Sequence, residues 1–165
     1  MNSILGDYNV FLKYVLSKLQ EKGIDINAKM IDHIAYRCIS EENYENMKKE
    51  LDKVAVKVFE RNFNNRNVSI YRFSNPLEYD GFRIPNLELM SYRAGDTSKE
   101  GLEHIEIIVT DPLQLIHEYP SIEWTIVPDR TINKEVFMRL ENYAVKFHNL
   151  PIEEAVAKQI ETGQQ

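Results

Sequence analysis

The sequence predicts an α+β protein built from two similar halves, each with the element order β-α-β-β-β. The first observation is a repeated strand: Asp32-His33 and Glu103-His104 each join an acidic residue to a histidine, followed by isoleucine and then alternating side chains. The second observation is that each copy precedes one helical segment and three further strand segments. A repeated strand with a repeated histidine predicts two similar modules, with a site where they meet.

The first half begins with an amphipathic helix over residues 7–20, where apolar side chains recur at helical spacing. Gly23 follows its last turn and suits a left-handed C-cap. The first histidine strand is expected over residues 31–39. Ser40 is a typical N-cap residue, and helical spacing continues after it to about residue 53.

Three further strands complete the first half. Residues 54–60, 68–73 and 83–92 contain alternating or β-branched side chains between turn residues. A loop is expected over residues 75–81, which hold an Asn-Pro and an Asp-Gly dipeptide. The stretch 93–101 contains two glycines and several small polar residues, and it is the best candidate for a linker.

The second half repeats this order with shorter connections. After its histidine strand, Asp111-Pro112 starts a short helix, and residues 124–127 predict a strand. Residues 136–148 predict a hairpin, and a final amphipathic helix follows Pro151. We expect a single domain over residues 1–165, made of an N-terminal helical segment (1–29), a first module (30–93), a second module (101–148) and a C-terminal helix (149–165).

Composition and charge narrow the classes of function. The chain has 165 residues, of which 43% are apolar and 28% charged, as is ordinary for a globular protein. A net charge of -6 argues against nucleic-acid binding, which normally needs a basic surface. No apolar run approaches the ~20 residues that cross a bilayer. With one cysteine, Cys38, and no signal-peptide pattern, the chain is expected to be cytoplasmic.

Alternation within the strands predicts a polar cup. Successive strand side chains point to opposite faces, so the apolar faces can be covered by helices while the polar faces curve together. Imidazole and carboxylate groups in such a cup suit Zn, Fe, Mn or Ni. The side chains on the polar faces are His33, Arg37, Glu88, His104, Glu106, Lys146 and His148.

A polar strand face also has a simpler interpretation, because a half-buried antiparallel sheet presents one face to water. On that interpretation the protein is an acidic interaction module and its histidines are incidental. The repeated histidine favours a site instead. Two other residues have structural interpretations: Cys38 is expected to be a buried core thiol, and His117 is expected to be solvated on a surface helix.

Several segments resemble the YecM-like proteins of the vicinal-oxygen-chelate superfamily, which includes glyoxalase I, extradiol dioxygenases and bleomycin-resistance proteins. The resemblance covers most of the chain, and Gly-Leu-Glu-His-Ile-Glu at 101–106 is its most specific part. It implies paired βαβββ modules that form a cupped mixed sheet with helices on the outer face. The resembling segments are residues 32–37, 87–89, 100–106, 145–149 and 151–156.

The resemblance also implies a divalent metal in the cup. The superfamily's ligand positions fall on His33, Glu88 and His104, and a second carboxylate is expected near Lys146. The sequence departs from the pattern there, because a lysine repels a cation. Either His148 or Glu106 is the alternative fourth ligand.

The implied function is a metal-dependent enzyme, an isomerase, lyase or oxygenase, that acts on a small anionic molecule in the cup. Arg37 and Lys146 are the expected substrate-binding residues, because cations orient negative charge. The alternative is a non-catalytic protein of the same fold that binds or sequesters a small ligand. The sequence is compatible with a monomer or a homo-oligomer in either case, and the resemblance implies a homodimer among these forms, since paired modules of this superfamily often pair again.

Overall fold

The computed structural model describes residues 1–27, 29–63, 65–95, 99–128 and 133–162. Parts of the predicted linker (96–98), of the turn after Pro128 (129–132) and of the C-terminal segment (163–165) lie outside these residues. The helices are α1 (Asn2–Leu5), α2 (Tyr8–Glu21), α3 (Glu41–Leu51), α4 (Gln114–Glu118) and α5 (Ile152–Thr162). The strands are β1 (Met30–Arg37), β2 (Ala55–Phe63), β3 (Arg66–Tyr79), β4 (Phe82–Met90), β5 (Gly101–Ile108), β6 (Thr125–Ile126), β7 (Glu135–Leu140) and β8 (Tyr143–His148).

The strands form one mixed sheet in the order β2-β3-β4-β1-β5-β8-β7-β6. Strand β1 pairs in parallel with β4, and β5 pairs in parallel with β8. The two histidine strands, β1 and β5, are antiparallel neighbours at the centre of the sheet. From the centre outwards, each side of the sheet contains the first, fourth, third and second strand of one module. This symmetry confirms the predicted pair of βαβββ modules.

The apolar side of the sheet is the hydrophobic core, and the helices α2 and α3 pack on it. Leu12 and Val15 of α2 are fully buried against the apolar strand faces, as is Tyr44 of α3. Complete burial of a leucine or valine side chain stabilises the fold by about 1.5–3 kcal/mol. Cys38 lies in this core, as predicted, and burial raises the pKa of its thiol to about 12.

The helix boundaries follow the local signals in the sequence. Asp7 caps α2 by accepting hydrogen bonds from the backbone N–H groups of Asn9 and Val10. Ser40 caps α3, where its hydroxyl accepts from the N–H of Asn43, as its position predicts. Gly23 has a φ of 75° just after α2, which only glycine adopts without strain.

One strand is longer than predicted. Residues 75–79 were expected in a loop, yet β3 continues through Pro76 to Tyr79. The register between β3 and β4 shifts between Arg72 and Leu77, so Pro76 lies in a bulge where no ladder hydrogen bond is lost. Within the described ranges, no helix is both long enough and apolar enough to cross a bilayer.

Candidate metal centre

The side of the sheet opposite α2 and α3 carries the predicted polar residues, and we call this concave face the cup. Strand register aligns its side chains in two rows across the central strands. The first row contains Asn86, His33, Glu106 and Lys146, on β4, β1, β5 and β8. The second row contains Glu88, Ala35, His104 and Ala144 on the same four strands.

Four of these side chains converge on one point at the boundary between the modules. His104 Nε2 lies 3.3 Å from Glu88 Oε2 and 3.2 Å from Glu106 Oε1. His33 Nε2 lies 3.4 Å from the same Glu106 oxygen. One ligand-type atom from each of His33, Glu88, His104 and Glu106 lies within 4.8 Å of the other three.

This donor set fits a divalent cation. Two imidazoles and two carboxylates are ligands that Zn, Fe, Mn and Ni accept. Within the described residues, His33 Nε2 and Glu88 Oε2 are buried and make no hydrogen bond. Buried polar atoms normally have a partner, so two such atoms in one cluster are consistent with a ligand at this place.

Each histidine strand has a bulge at the acidic residue that precedes its histidine. The pairing of β1 with β5 shifts register at Asp32, and it shifts again at Glu103. A bulge redirects a side chain from one face of a sheet toward the other. Both acidic side chains therefore lie beside the histidine that follows them, rather than on the opposite face.

Asp32 fixes the orientation of the His33 ring. Its Oδ2 atom lies 2.8 Å from His33 Nδ1, and a carboxylate can only accept, so Nδ1 donates. The nitrogen that faces the cluster is consequently Nε2. The same Oδ2 accepts a hydrogen bond of 2.9 Å from the backbone N–H of Ile152, the first residue of α5. Carboxylate-histidine pairs of this kind orient metal ligands in proteins.

Glu103 is less closely associated with its histidine. Its Oε1 atom lies 3.9 Å from His104 Nδ1, while its Oε2 atom lies 2.5 Å from Nη2 of Arg37. The position of Arg37 thus explains the asymmetry between the two bulges. Arg37, expected to bind substrate, has an internal carboxylate partner in this structure.

His148, one alternative for the fourth ligand, has a different hydrogen-bonding pattern. Asn133 Oδ1 accepts from the N–H of Leu150, so Asn133 Nδ2 is the atom that faces His148 Nδ1, at 3.1 Å. His148 Nδ1 must accept from this amide, which places the proton of the neutral ring on Nε2. That protonated nitrogen lies 3.4 Å from Glu106 Oε2 and has no lone pair for a metal.

Lys146 corresponds in register to Glu88 of the first module. Glu88 pairs with Ala35, two residues after His33, and Lys146 pairs with Glu106, two residues after His104. The second module therefore carries its carboxylate on β5 instead of β8. Lys146 Nζ donates a hydrogen bond of 2.8 Å to Glu106 Oε1 and lies 3.9 Å from Glu135.

The charges of the cluster shift one another's proton affinities. Burial lowers the pKa of His33, but the charge of Glu106 and the hydrogen bond to Asp32 outweigh this and raise it to about 10. Burial and Lys146 lower the pKa of His104, and the neighbouring carboxylates raise it to about 9.

The carboxylates shift in the opposite direction. Burial raises the pKa of Glu88, but His104 and Lys146 lower it to about 2. Burial also opposes ionisation of Glu106, whose pKa is nevertheless lowered by Lys146, His33 and His148. Without a metal, the site is thus a network of two imidazolium groups, one ammonium group and several carboxylates.

The side chains of the cluster differ in their exposure to solvent. His33 and His104 are at most 1% exposed. The side chains of Glu88 and Lys146 are 17% and 22% exposed, so solvent reaches the cluster between these two residues.

The sequence did not indicate several residues that complete the site. Strict alternation gives no reason to place Asp32 or Glu103 beside the following histidine, because alternation does not account for bulges. Asn133 lies in a loop, and no local pattern connects it with His148. The acidic residue before each repeated histidine was the one available signal for the pair of bulges.

Two βαβββ modules that share one cupped sheet, with ligand-type side chains from both modules, define the vicinal-oxygen-chelate fold. Among solved structures, a structural-genomics protein, EC4020, matches with a TM-score of 0.80 at 22% identity, over 94% of this chain and 91% of that chain. The chain belongs to the YecM family, because the family model described as YecM protein matches residues 1–159.

Other structures share the fold at lower similarity. A methylmalonyl-CoA epimerase matches with a TM-score of 0.53 at 13% identity, over 74% of this chain and 95% of that chain. The hypothetical protein BH1468 from Bacillus halodurans C-125 matches with a TM-score of 0.52 at 16% identity, over 75% and 96%. Among curated proteins, none matches this chain. These similarities define the fold and leave the reaction open.

Proposed function

We propose that the protein is a metal-dependent enzyme of vicinal-oxygen-chelate type that acts on a small anionic molecule in the cup. The carrying observation is the convergence of four donor atoms within 4.8 Å at the boundary of the two modules. His33, Glu88, His104 and Glu106 would hold the cation. When bound, it would polarise a substrate oxygen or lower the pKa of a bound water, as an isomerase, lyase or oxygenase requires.

The protein's own residues have distinct roles in this proposal. Asp32 holds His33 with Nε2 toward the cation, because its carboxylate accepts a hydrogen bond from the Nδ1–H group. Lys146 stands on β8 where a carboxylate ligand was expected, and Glu106 on the neighbouring strand β5 supplies the carboxylate instead. Lys146, on the solvent-accessible side, orients the negative charge of the substrate, while burial of both histidines excludes bulk water.

Metal analysis tests this proposal directly. Protein prepared without a histidine tag should contain about one divalent ion per chain, and it should lose the ion in a His33→Ala/His104→Ala variant. His117→Ala is the matched control, since His117 is exposed on α4. A bound ion should also raise the melting temperature. A wild-type protein whose melting temperature is unaffected by Zn, Ni, Mn and Fe would contradict the proposal.

A non-catalytic ligand-binding protein is the second candidate, and one observation favours it. Lys146 already supplies a positive charge 2.8 Å from Glu106, so part of the cluster's negative charge is neutralised without a metal. In this case the cup binds an anion through Lys146 alone. Ligand binding that is unchanged by chelators, in protein that contains no metal, would favour this function over the enzyme.

A further inference from the structure

The C-terminal helix α5 contacts the cup through its first turn. Arg72 lies on the cup face of β3, where it pairs with Asn86, the neighbour of His33 in the first row. Its Nε atom donates a hydrogen bond of 2.7 Å to Oε1 of Glu153, and its Nη2 atom contacts Oε2 of the same carboxylate. The first row of the cup therefore ends in a guanidinium group paired with a carboxylate of α5.

This geometry is the one by which arginine recognises carboxylate ligands. Two parallel N–H groups meet the two oxygens of a carboxylate, which gives directional specificity that a lysine lacks. Neighbouring strands are about 4.8 Å apart, so the Cα atoms of Arg72 and His33, two strands apart, are separated by roughly 10 Å. A small molecule bound at the cluster can extend to the guanidinium across this distance.

Arg72 differs from Arg37 and Lys146, which are also cations on the cup face, in the element that supplies its partner. Arg37 pairs with Glu103, and Lys146 pairs with Glu106, and both carboxylates are on the central strand β5. Glu153, the partner of Arg72, belongs to the terminal helix. The side chains of Arg72 and Glu153 are 56% and 26% exposed, and exposed ion pairs are weak in net free energy, so Glu153 can be displaced.

We propose that Arg72 is the carboxylate-binding residue of the cup, and that Glu153 occupies it until a carboxylate of the substrate takes its place. This inference rests on the proposed function, in which the cup receives a small anionic molecule, and it identifies that anion as a carboxylate. Displacement of Glu153 also loosens the first turn of α5, whose Ile152 N–H is bonded to Asp32. Substrate binding is therefore coupled to movement of α5 at the rim of the cup.

Titration of the metal-free protein with malonate tests the inference. The side-chain Nε–H signal of Arg72 in NMR spectra reports its partner, and calorimetry gives the dissociation constant. Because an intramolecular competitor is removed, malonate should bind Glu153→Gln about fivefold more tightly than wild type. Arg72→Gln should lose binding. Glu154→Gln is the matched control, because Glu154 is on the same helix but pairs only with Lys158 among the described contacts.

Hydrogen exchange of residues 152–162 provides the second measurement. Malonate should accelerate exchange in the first turn of α5 in wild type and should have no such effect in Arg72→Gln. The inference would be overturned if wild type and Glu153→Gln bound malonate with equal affinity, or if Arg72→Gln kept the wild-type affinity. It would also be overturned if the protein did not bind malonate at all. Tighter binding of inorganic phosphate than of malonate would also overturn it.

The malonate measurements use metal-free protein, so their outcome does not depend on whether the cluster binds a metal. A protein that fails to bind zinc but binds malonate through Arg72 would contradict the proposed metal enzyme and support the carboxylate site. A protein that binds zinc at the cluster but does not bind malonate at Arg72 would support the proposed metal enzyme and contradict the carboxylate site. The two failures are thus distinguishable.

Discussion

Lys146 Nζ lies 2.8 Å from Glu106 Oε1, so an ammonium group contacts the same oxygen that lies within 3.4 Å of both His33 and His104. This ammonium group competes with a metal cation for the carboxylate. At the same time it stabilises Glu106 in its ionised form, which a metal requires. The affinity of the cluster for a cation depends on the balance of these two effects.

Removal of the Lys146 charge should strengthen metal binding. We expect Lys146→Gln to bind zinc about tenfold more tightly, because Glu106 no longer has to exchange an internal cation for the metal. Competition with a chromogenic chelator measures the affinity. Lys13→Gln is the control, since Lys13 is an exposed cation on α2, on the other side of the sheet. Weaker zinc binding by Lys146→Gln would mean that Lys146 mainly supports the ionisation of Glu106.

Metal binding should release protons and strengthen with pH. His33 and His104 have pKa values of about 10 and about 9, so both are protonated at pH 7 in the metal-free protein. A metal binds only the neutral rings, so binding at pH 7 should release about two protons, and affinity should rise as pH increases toward 9. Calorimetry in buffers of different ionisation enthalpy counts these protons. Release of no protons would exclude the two rings as ligands.

The stability of the metal-free protein should fall over the same pH range. The folded pKa values of His33 and His104 lie above the ordinary value of 6.5, so the folded state binds more protons than the unfolded state between these limits. Their stabilising contribution is complete below pH 6.5 and is lost as pH rises through about 9 to 10. The free energy of unfolding, measured with urea, should therefore decrease between pH 7 and pH 10.

A double variant, His33→Asn/His104→Asn, separates this contribution from other titrations. Its free energy of unfolding should depend less on pH between 7 and 10 than that of the wild type. His117→Asn should retain the wild-type dependence, because His117 is exposed. Equal pH dependence in all three proteins would show that the two imidazolium groups do not stabilise the fold.

The two bulged acidic residues should differ in their importance for metal binding. Asp32→Asn should weaken zinc binding by about 10–100-fold, the usual cost of losing a residue that orients a metal ligand. Glu103→Gln should have a smaller effect, because Glu103 lies 3.9 Å from His104 and pairs instead with Arg37. Chelator competition on both variants makes this comparison. A larger loss in Glu103→Gln would contradict the assignment of Asp32 as the main orienting residue.

Much of the fold follows from local sequence patterns. Alternation within strands was sufficient to place His33, Glu88 and His104 on one face, because the side-chain period of a strand is constant. The caps at Ser40 and Gly23 follow from the hydrogen-bonding and backbone preferences of these residues. Such features depend only on neighbours along the chain.

The rest of the site depends on contacts between distant segments. The bulge at Asp32 arises from the register between β1 and β5, which no local pattern encodes. The apolar stripe of α5 predicts a helix with a buried face, but not that Glu153 pairs with Arg72 on β3. Lys146 was expected to repel a cation, and only the register of β5 and β8 reveals Glu106 as its partner.

The antiparallel pairing of β1 with β5 has a consequence for the order of folding. Each module contributes one histidine and one carboxylate to the cluster, so neither module alone contains more than half of the donors. The donor set forms only when segments far apart in the chain have docked, which is a slow, non-local event in folding. A metal that needs all four ligands would therefore bind only after the modules have joined, and would stabilise their junction against separation.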